Sequence, residues 1–192
     1  YRGSYIREGK ELINYALAEL QSKKIVIFYQ NDAFGRGALQ GAIQALEAAN
    51  VSKKDYLAVP HERNDVNFQR QANEIKNFNP DTILFSTNAT AIRGLIRQMG
   101  VQYFAGKKLL GLSVYEDAFE KFLEDKGLEF VLTRMVPDPD TSDLEIVQEY
   151  RKWPDQKNIG NDKVSLEMFI NASSLFDILK KLESPRTKDK KI

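Results

Sequence analysis

The 192-residue chain contains no cysteine. That excludes a disulfide, a thiol nucleophile and a thiolate metal site, and it suits an exported protein as well as a cytosolic one. Histidine occurs once, as His61. A single histidine rules out most zinc sites and leaves a histidine-based catalytic dyad one candidate. There is no charge excess: 28 Lys and Arg stand against 27 Asp and Glu, for a net charge of +1. A nucleic-acid surface needs a basic surplus, so no nucleic-acid partner is expected. No apolar run is long enough for a membrane span. Nothing at the N-terminus resembles a signal peptide. The opening "YRGSYIREGKELINYALAEL" does not begin with Met and reads as the middle of a gene product. The chain is therefore expected to be a fragment of a longer protein.

What is present is the composition of a globular protein, 42% hydrophobic and 29% charged. Its length suits one domain or one and a fraction. Short β-branched or aromatic runs occur at "KIVIFY" (24–29), "DYLAV" (55–59), "DTILFS" (81–86), "KLLGLS" (108–113) and "FVLTRMV" (130–136). Such runs suit strands buried on both faces, as a parallel sheet requires. Between them lie helical faces: Leu12, Ile13, Ala16, Leu17 and Leu20; Leu39, Ala42, Ile43 and Leu46; Phe68, Ala72 and Ile75; Ile92, Leu95, Ile96 and Met99; Phe119, Phe122 and Leu123. Strand-helix alternation predicts right-handed crossovers and a doubly wound α/β fold, with a parallel sheet ordered 2-1-3-4-5.

The alternation stops at "VPDPDTSD" (136–143), where two prolines and several acids cannot continue a central strand. A short helix around "DLEIVQEYRKW", a polar loop "PDQKNIGNDK" and an apolar helix "VSLEMFINASSLFDILKKL" (164–182) follow. The tail "ESPRTKDKKI" is expected to fray.

Three glycines, Gly35, Gly37 and Gly41, open the helix after the first strand in "FYQNDAFGRGALQG" (28–41). A dinucleotide fingerprint needs G-x-G-x-x-G with the first glycine at the strand-to-helix turn. Here the spacing is G-x-G-x-x-x-G, and "QNDAF" pushes the glycines into the helix. Gly41 is instead expected to let the helix pack closely on the sheet. Ligands of open parallel sheets sit beyond the carboxyl ends of the strands. There the sequence places Asn31, Asp32 and Phe34, then His61, Glu62 and Arg63, then Thr87 and Asn88, then Ser113 and Tyr115. These aromatic and hydrogen-bonding groups suit a small polar molecule. Helix capping is the plain alternative for Asn88. Phe34 is the exception, since a large aromatic in a strand-end loop is costly to expose. Asp32 lacks the further acids and the lysine of a phospho-acceptor site. His61 beside Glu62 suggests a base with an orienting carboxylate, but no nucleophile accompanies them, and a solvated loop histidine is the commoner case. No G-x-S-x-G, P-loop or metal-spaced cluster occurs, so no cofactor is expected.

Taken in order, "KKIVIFYQNDAFGRGALQGAIQALEAANV", "DVNFQRQANEIKNFNPDTILFSTNATAIRGLIRQMG" and "VSLEMFINASSLFDILKKL" resemble type I periplasmic binding proteins. The branch they resemble is the leucine/isoleucine/valine receptors and their amide- and urea-binding relatives. The resemblance implies two α/β lobes joined by three crossing strands, with a ligand closed between them. On that reading residues 1–139 form the second lobe with its crossing ends, starting at Tyr1 to Ser4, and 140–192 a part of the first. By position, Phe34 matches a family tyrosine facing the ligand, and Asn88 matches a second aromatic contact. Ser113 matches a glutamate that holds the ligand ammonium; Asn88 and Ser113 thus depart from the branched-chain pattern. Glu116 or Asp117 are the nearby carboxylates that could stand in. Phe34, Asn88, Ser113, Asp32 and Tyr115 are accordingly the expected ligand-binding residues.

The function implied is a non-enzymatic receptor of an ABC importer, periplasmic or extracellular and lipid-anchored or free. Its partners would be an amino-acid-like ligand and a membrane permease. A sensing domain of a signalling receptor or regulator is the alternative on the same fold, and a nucleotide-dependent α/β enzyme the alternative from another class. The apolar face of the 164–182 helix is expected to seek a partner, a second copy of the chain or the side of the lobe.

Overall fold

Five short apolar runs become the strands of one parallel sheet: β1 (Ile25–Gln30), β2 (Tyr56–His61), β3 (Thr82–Ser86), β4 (Lys108–Gly111) and β5 (Phe130–Leu132). Their order is β2-β1-β3-β4-β5, as the alternation of elements predicts, and every pairing is parallel. The structure is a computed structural model and describes residues 3–114, 117–153 and 162–183. It divides into two units, one ending at Thr133 and the other beginning at Arg134.

In the first unit, alternate residues of each strand serve opposite layers. Ile25, Ile27, Leu84 and Leu110 pack against α1 (Tyr5–Ala18) and α2 (Ala33–Ala48). Val26, Phe28, Ile83, Phe85 and Leu109 pack against α3 (Gln69–Phe78), α4 (Ala89–Met99), α5 (Val101–Phe104) and α6 (Asp117–Asp125). Helices thus cover both faces, which is why the central strands β1 and β3 read as continuous apolar runs.

Glycine decides how α1 and α2 meet. A Cβ at Gly41 would lie 1.8 Å from the Ile6 carbonyl oxygen, and one at Gly9 would lie 2.1 Å from that of Ala38. Gly41 therefore admits the neighbouring helix, whereas the sequence suggested close packing on the sheet. Gly35 works differently, because its missing Cβ would stand 2.1 Å from the Gln30 carbonyl oxygen at the end of β1.

Two strands end earlier than their apolar runs. β4 stops at Gly111 and β5 at Leu132, because the groups that follow are taken by a side chain. The Ser113 amide and the Thr133 hydroxyl both donate to Glu8 of α1. β2 runs on through Pro60, which is tolerated because β2 is an edge strand. The Pro60 carbonyl accepts from Arg70 Nη2 at 3.1 Å and Gln71 Nε2 at 3.2 Å, both on α3.

In the second unit, the proline-containing segment 136–143 is irregular. Asp138 organises it, accepting from the amides of Asp140 and Thr141 at 2.9 and 3.0 Å. Those two bonds hold its carboxyl below the ordinary value. α7 (Glu145–Arg151) and α8 (Lys163–Glu183) meet through Val147, Tyr150 and Leu166, joined by Phe169. Further along α8, Leu175, Phe176, Ile178, Leu179 and Leu182 are exposed. Residue Tyr1, most of the polar loop expected at 154–163 and nearly all of the tail at 183–192 lie outside the described residues.

Candidate functional site

The carboxyl ends of β1, β3 and β4 each run directly into the loops that carry the expected site residues. Asp32 follows β1 and caps α2: its Oδ1 accepts from the Gly35 amide at 3.1 Å and its Oδ2 from Gln30 Nε2 at 2.5 Å. Burial pushes this carboxyl up, but hydrogen bonds from Gln30, Gly35 and Phe34 together outweigh it and hold the group below its ordinary value. Asn88 follows β3 and caps α4, its Oδ1 accepting from the Ala91 amide at 3.0 Å. Its amide nitrogen donates to Gln30 Oε1 at 2.9 Å. Gln30 therefore ties the two caps together, and most of the polar capacity of Asp32 and Asn88 is used within the protein.

Phe34 is half-buried on the α1–α2 side of the sheet, with its ring edge-on to Tyr5 at 4.8 Å. It thus has a partner on α1 and still presents part of its surface. Ser113 follows β4, its amide donating to Glu8 Oε2 at 2.8 Å. The Ser113 hydroxyl oxygen is buried and has no hydrogen-bond partner. Tyr115 lies outside the described residues, as does Glu116, and the Asp117 side chain is not described either. The structure therefore brings Asp32 and Asn88 together through Gln30, sets Phe34 against Tyr5, and joins Ser113 to Glu8.

His61 is a correction to the solvated loop histidine that the sequence suggests. It ends β2, is only 2% exposed, stacks on Phe28 at 4.8 Å and meets Phe68 edge-on at 5.6 Å. Its Nδ1 faces the Glu62 carbonyl oxygen at 2.8 Å, so that nitrogen carries the proton. Nε2 then accepts from the Thr87 hydroxyl at 2.7 Å. Burial holds the imidazole below its ordinary value. The Glu62 carboxylate turns to Asn31, accepting from its Nδ2 at 2.7 Å, and does not orient the ring. His61 is a strut between β2 and the loop after β3. Among the described residues no group of three or more His, Cys, Asp or Glu is placed to hold a metal ion.

Glu8 is the residue that the sequence reading passes over. It lies in the first turn of α1 and is 5% exposed. Its Oε2 gathers the Ser113 amide and the Thr133 hydroxyl, while its Oε1 is buried with no partner. One signal was available: Glu8 falls one and two turns before Leu12 and Ala16, so a carboxylate sits in the apolar stripe of its helix.

A family model described as a periplasmic binding protein matches residues 1–191. Among solved structures, the chain is similar to an extracellular ligand-binding receptor from Verminephrobacter eiseniae, with 18% identity and a TM-score of 0.77, covering 97% of this chain and 53% of that one. It is also similar to a leucine binding protein from Thermotoga maritima, with 17% identity and a TM-score of 0.75, covering 92% and 50%. A third is a substrate-binding periplasmic protein from Ralstonia solanacearum, with 22% identity and a TM-score of 0.71, covering 96% and 52%. The chain thus spans about half the length of each. No curated protein matches it significantly.

Proposed function

Because the chain belongs to the periplasmic binding protein family, we propose that it is part of the solute receptor of an ABC importer. The ligand is a small polar molecule, an amino acid or a related amide or acid, enclosed between two lobes by hinge closure. A membrane permease recognises the closed, liganded form, and the receptor works in the periplasm or outside the cell. The observation that carries this reading is the family match from residue 1 to residue 191, over both units of the chain. The edge chemistry supports binding over catalysis: Asp32, Asn88 and His61 are committed to internal hydrogen bonds, and none is paired with a nucleophile.

On this reading Phe34 and Ser113 contribute most directly to the ligand, and Asp32, Asn88 and Tyr115 complete the wall. Asn88 and Ser113 favour a ligand other than leucine, isoleucine or valine. Calorimetry of the full-length receptor against amino acids, small amides and short-chain acids tests the proposal. Saturable micromolar binding of one class is expected, and no binding anywhere in the panel would overturn it.

A further inference from the structure

Glu8 is the only carboxylate among the buried residues described, and its two oxygens are treated unequally. Oε2 accepts two hydrogen bonds, from the ends of β4 and β5, while Oε1 has none. No basic side chain pairs with it among the described residues. A carboxylate taken from water without a counter-charge is costly, by several kcal/mol even after relaxation. Two neutral donors and the N-terminal end of α1 offset part of that cost. The same pocket holds a second orphan, the buried Ser113 hydroxyl oxygen, on the residue whose amide Glu8 already binds. Unpaired buried polar atoms are rare in proteins, and two on bonded neighbours call for a missing partner.

That partner has definite chemistry. It must donate hydrogen bonds to a carboxylate oxygen, and it must be positive to neutralise the charge. A protonated amine does both, and its remaining protons can reach the serine oxygen. The place also fits: Ser113 is half-buried in the loop after β4, so the pair lies one side chain below the surface, at the carboxyl edge where open parallel sheets take their ligands.

We propose that Glu8 and Ser113 form a subsite for a cationic nitrogen, so that the solute is an amine-bearing molecule. This rests on the receptor reading above and narrows it. Glu8 supplies the charge from α1. Ser113 supplies an acceptor oxygen from β4. Thr133 fixes the carboxylate from β5.

The test uses the full-length receptor, titrated calorimetrically with the amino acids, with the desamino counterpart of each one that binds, and with benzoate and short fatty acids as amine-free probes. The wild type is expected to bind an amine-bearing probe and to lose affinity when the amine is removed. Glu8→Gln keeps the size and both acceptor bonds but removes the charge. A charge-assisted hydrogen bond accounts for roughly ten- to hundredfold in affinity, so Glu8→Gln should weaken the amine probe by about that factor and leave the desamino probe unchanged. Ser113→Ala, which retains the backbone bond to Glu8, should weaken the amine probe by a smaller factor. Thermal unfolding reports whether Glu8→Gln is folded; if it is not, Ser113→Ala decides the matter, and unchanged amine affinity there overturns the subsite. A folded Glu8→Gln that binds the amine probe as tightly as wild type reduces Glu8 to a structural clasp. A wild type that binds only amine-free probes overturns the subsite and leaves the receptor reading standing. One that binds nothing in the panel overturns both.

Discussion

A methyl group added at Gly41 would meet the Ile6 carbonyl oxygen at 1.8 Å, and only a shift of α1 away from α2 could relieve the contact. Gly41→Ala is therefore expected to destabilise the chain by about 1–3 kcal/mol. Gly37 is the control on the same helix. A Cβ there would lie 3.5 Å from Tyr5 Cβ, an ordinary contact, so Gly37→Ala should be neutral or stabilise by about 0.5–1 kcal/mol through helix propensity. Urea denaturation of the two variants checks this, and equal effects would contradict the close crossing. His61 carries a pH prediction. Its folded imidazole titrates below the ordinary 6.5, so around and below that pH the unfolded chain binds more protons. The stability contributed by neutral His61 is complete above about pH 6.5 and is lost as the pH falls below it. Thermal unfolding of wild type and His61→Gln between about pH 5 and 8 should show the gap between them narrowing at the acid end. A constant gap would show that His61 does not titrate on unfolding.

At the scale of elements, α8 stands apart. Leu175, Phe176, Leu179 and Leu182 are all more than two-fifths exposed, the last at 75%. Covering such side chains contributes about 1.5–3 kcal/mol each. This 192-residue chain is therefore expected to self-associate through α8, and Leu175→Glu with Phe176→Glu should return it to a monomer in sedimentation equilibrium. A concentration-independent monomer for the unmutated chain would contradict this. The elements themselves were largely legible. The apolar stripes at Leu12–Ala16 and Ile92–Met99 repeat at helical spacing, and Ile25 to Phe28 form an uninterrupted buried run. Strand ends were not legible, because β4 and β5 are stopped by Glu8, a partner more than a hundred residues earlier in the chain. Local propensity contains no trace of such a bond. His61 was misread for a related reason. Adjacency to Glu62 suggested a catalytic pair, whereas its partners are Phe28 and Thr87 on the neighbouring strand and loop. Asn88 was read both as a cap and as a ligand contact, and its cap geometry is what the structure displays.

For the whole molecule, the decisive quantity is enclosure. Small-molecule sites bury most of their ligand's surface, and the chain spans about half the length of the structures it resembles. The 192-residue chain alone is expected to bind the solute far more weakly than the full-length receptor, by calorimetry on both. Micromolar binding of leucine by the chain alone would contradict both the two-lobed site and the inferred specificity. Pro60 bears on a different kind of encounter. The Asn31 amide donates to the His61 carbonyl, so alternate residues of β2 face β1 and Pro60 faces outward. An outermost strand normally offers a ladder of free amides and carbonyls on which a foreign strand can template itself into an aggregate. At Pro60 there is no amide hydrogen to offer, and both lone pairs of the carbonyl are engaged by Arg70 and Gln71. The opposite margin, β5, presents only three residues. Growth of the sheet by strand addition is thus blocked near the middle of one border and starved of length at the other, which leaves this protein to meet its neighbours through side chains.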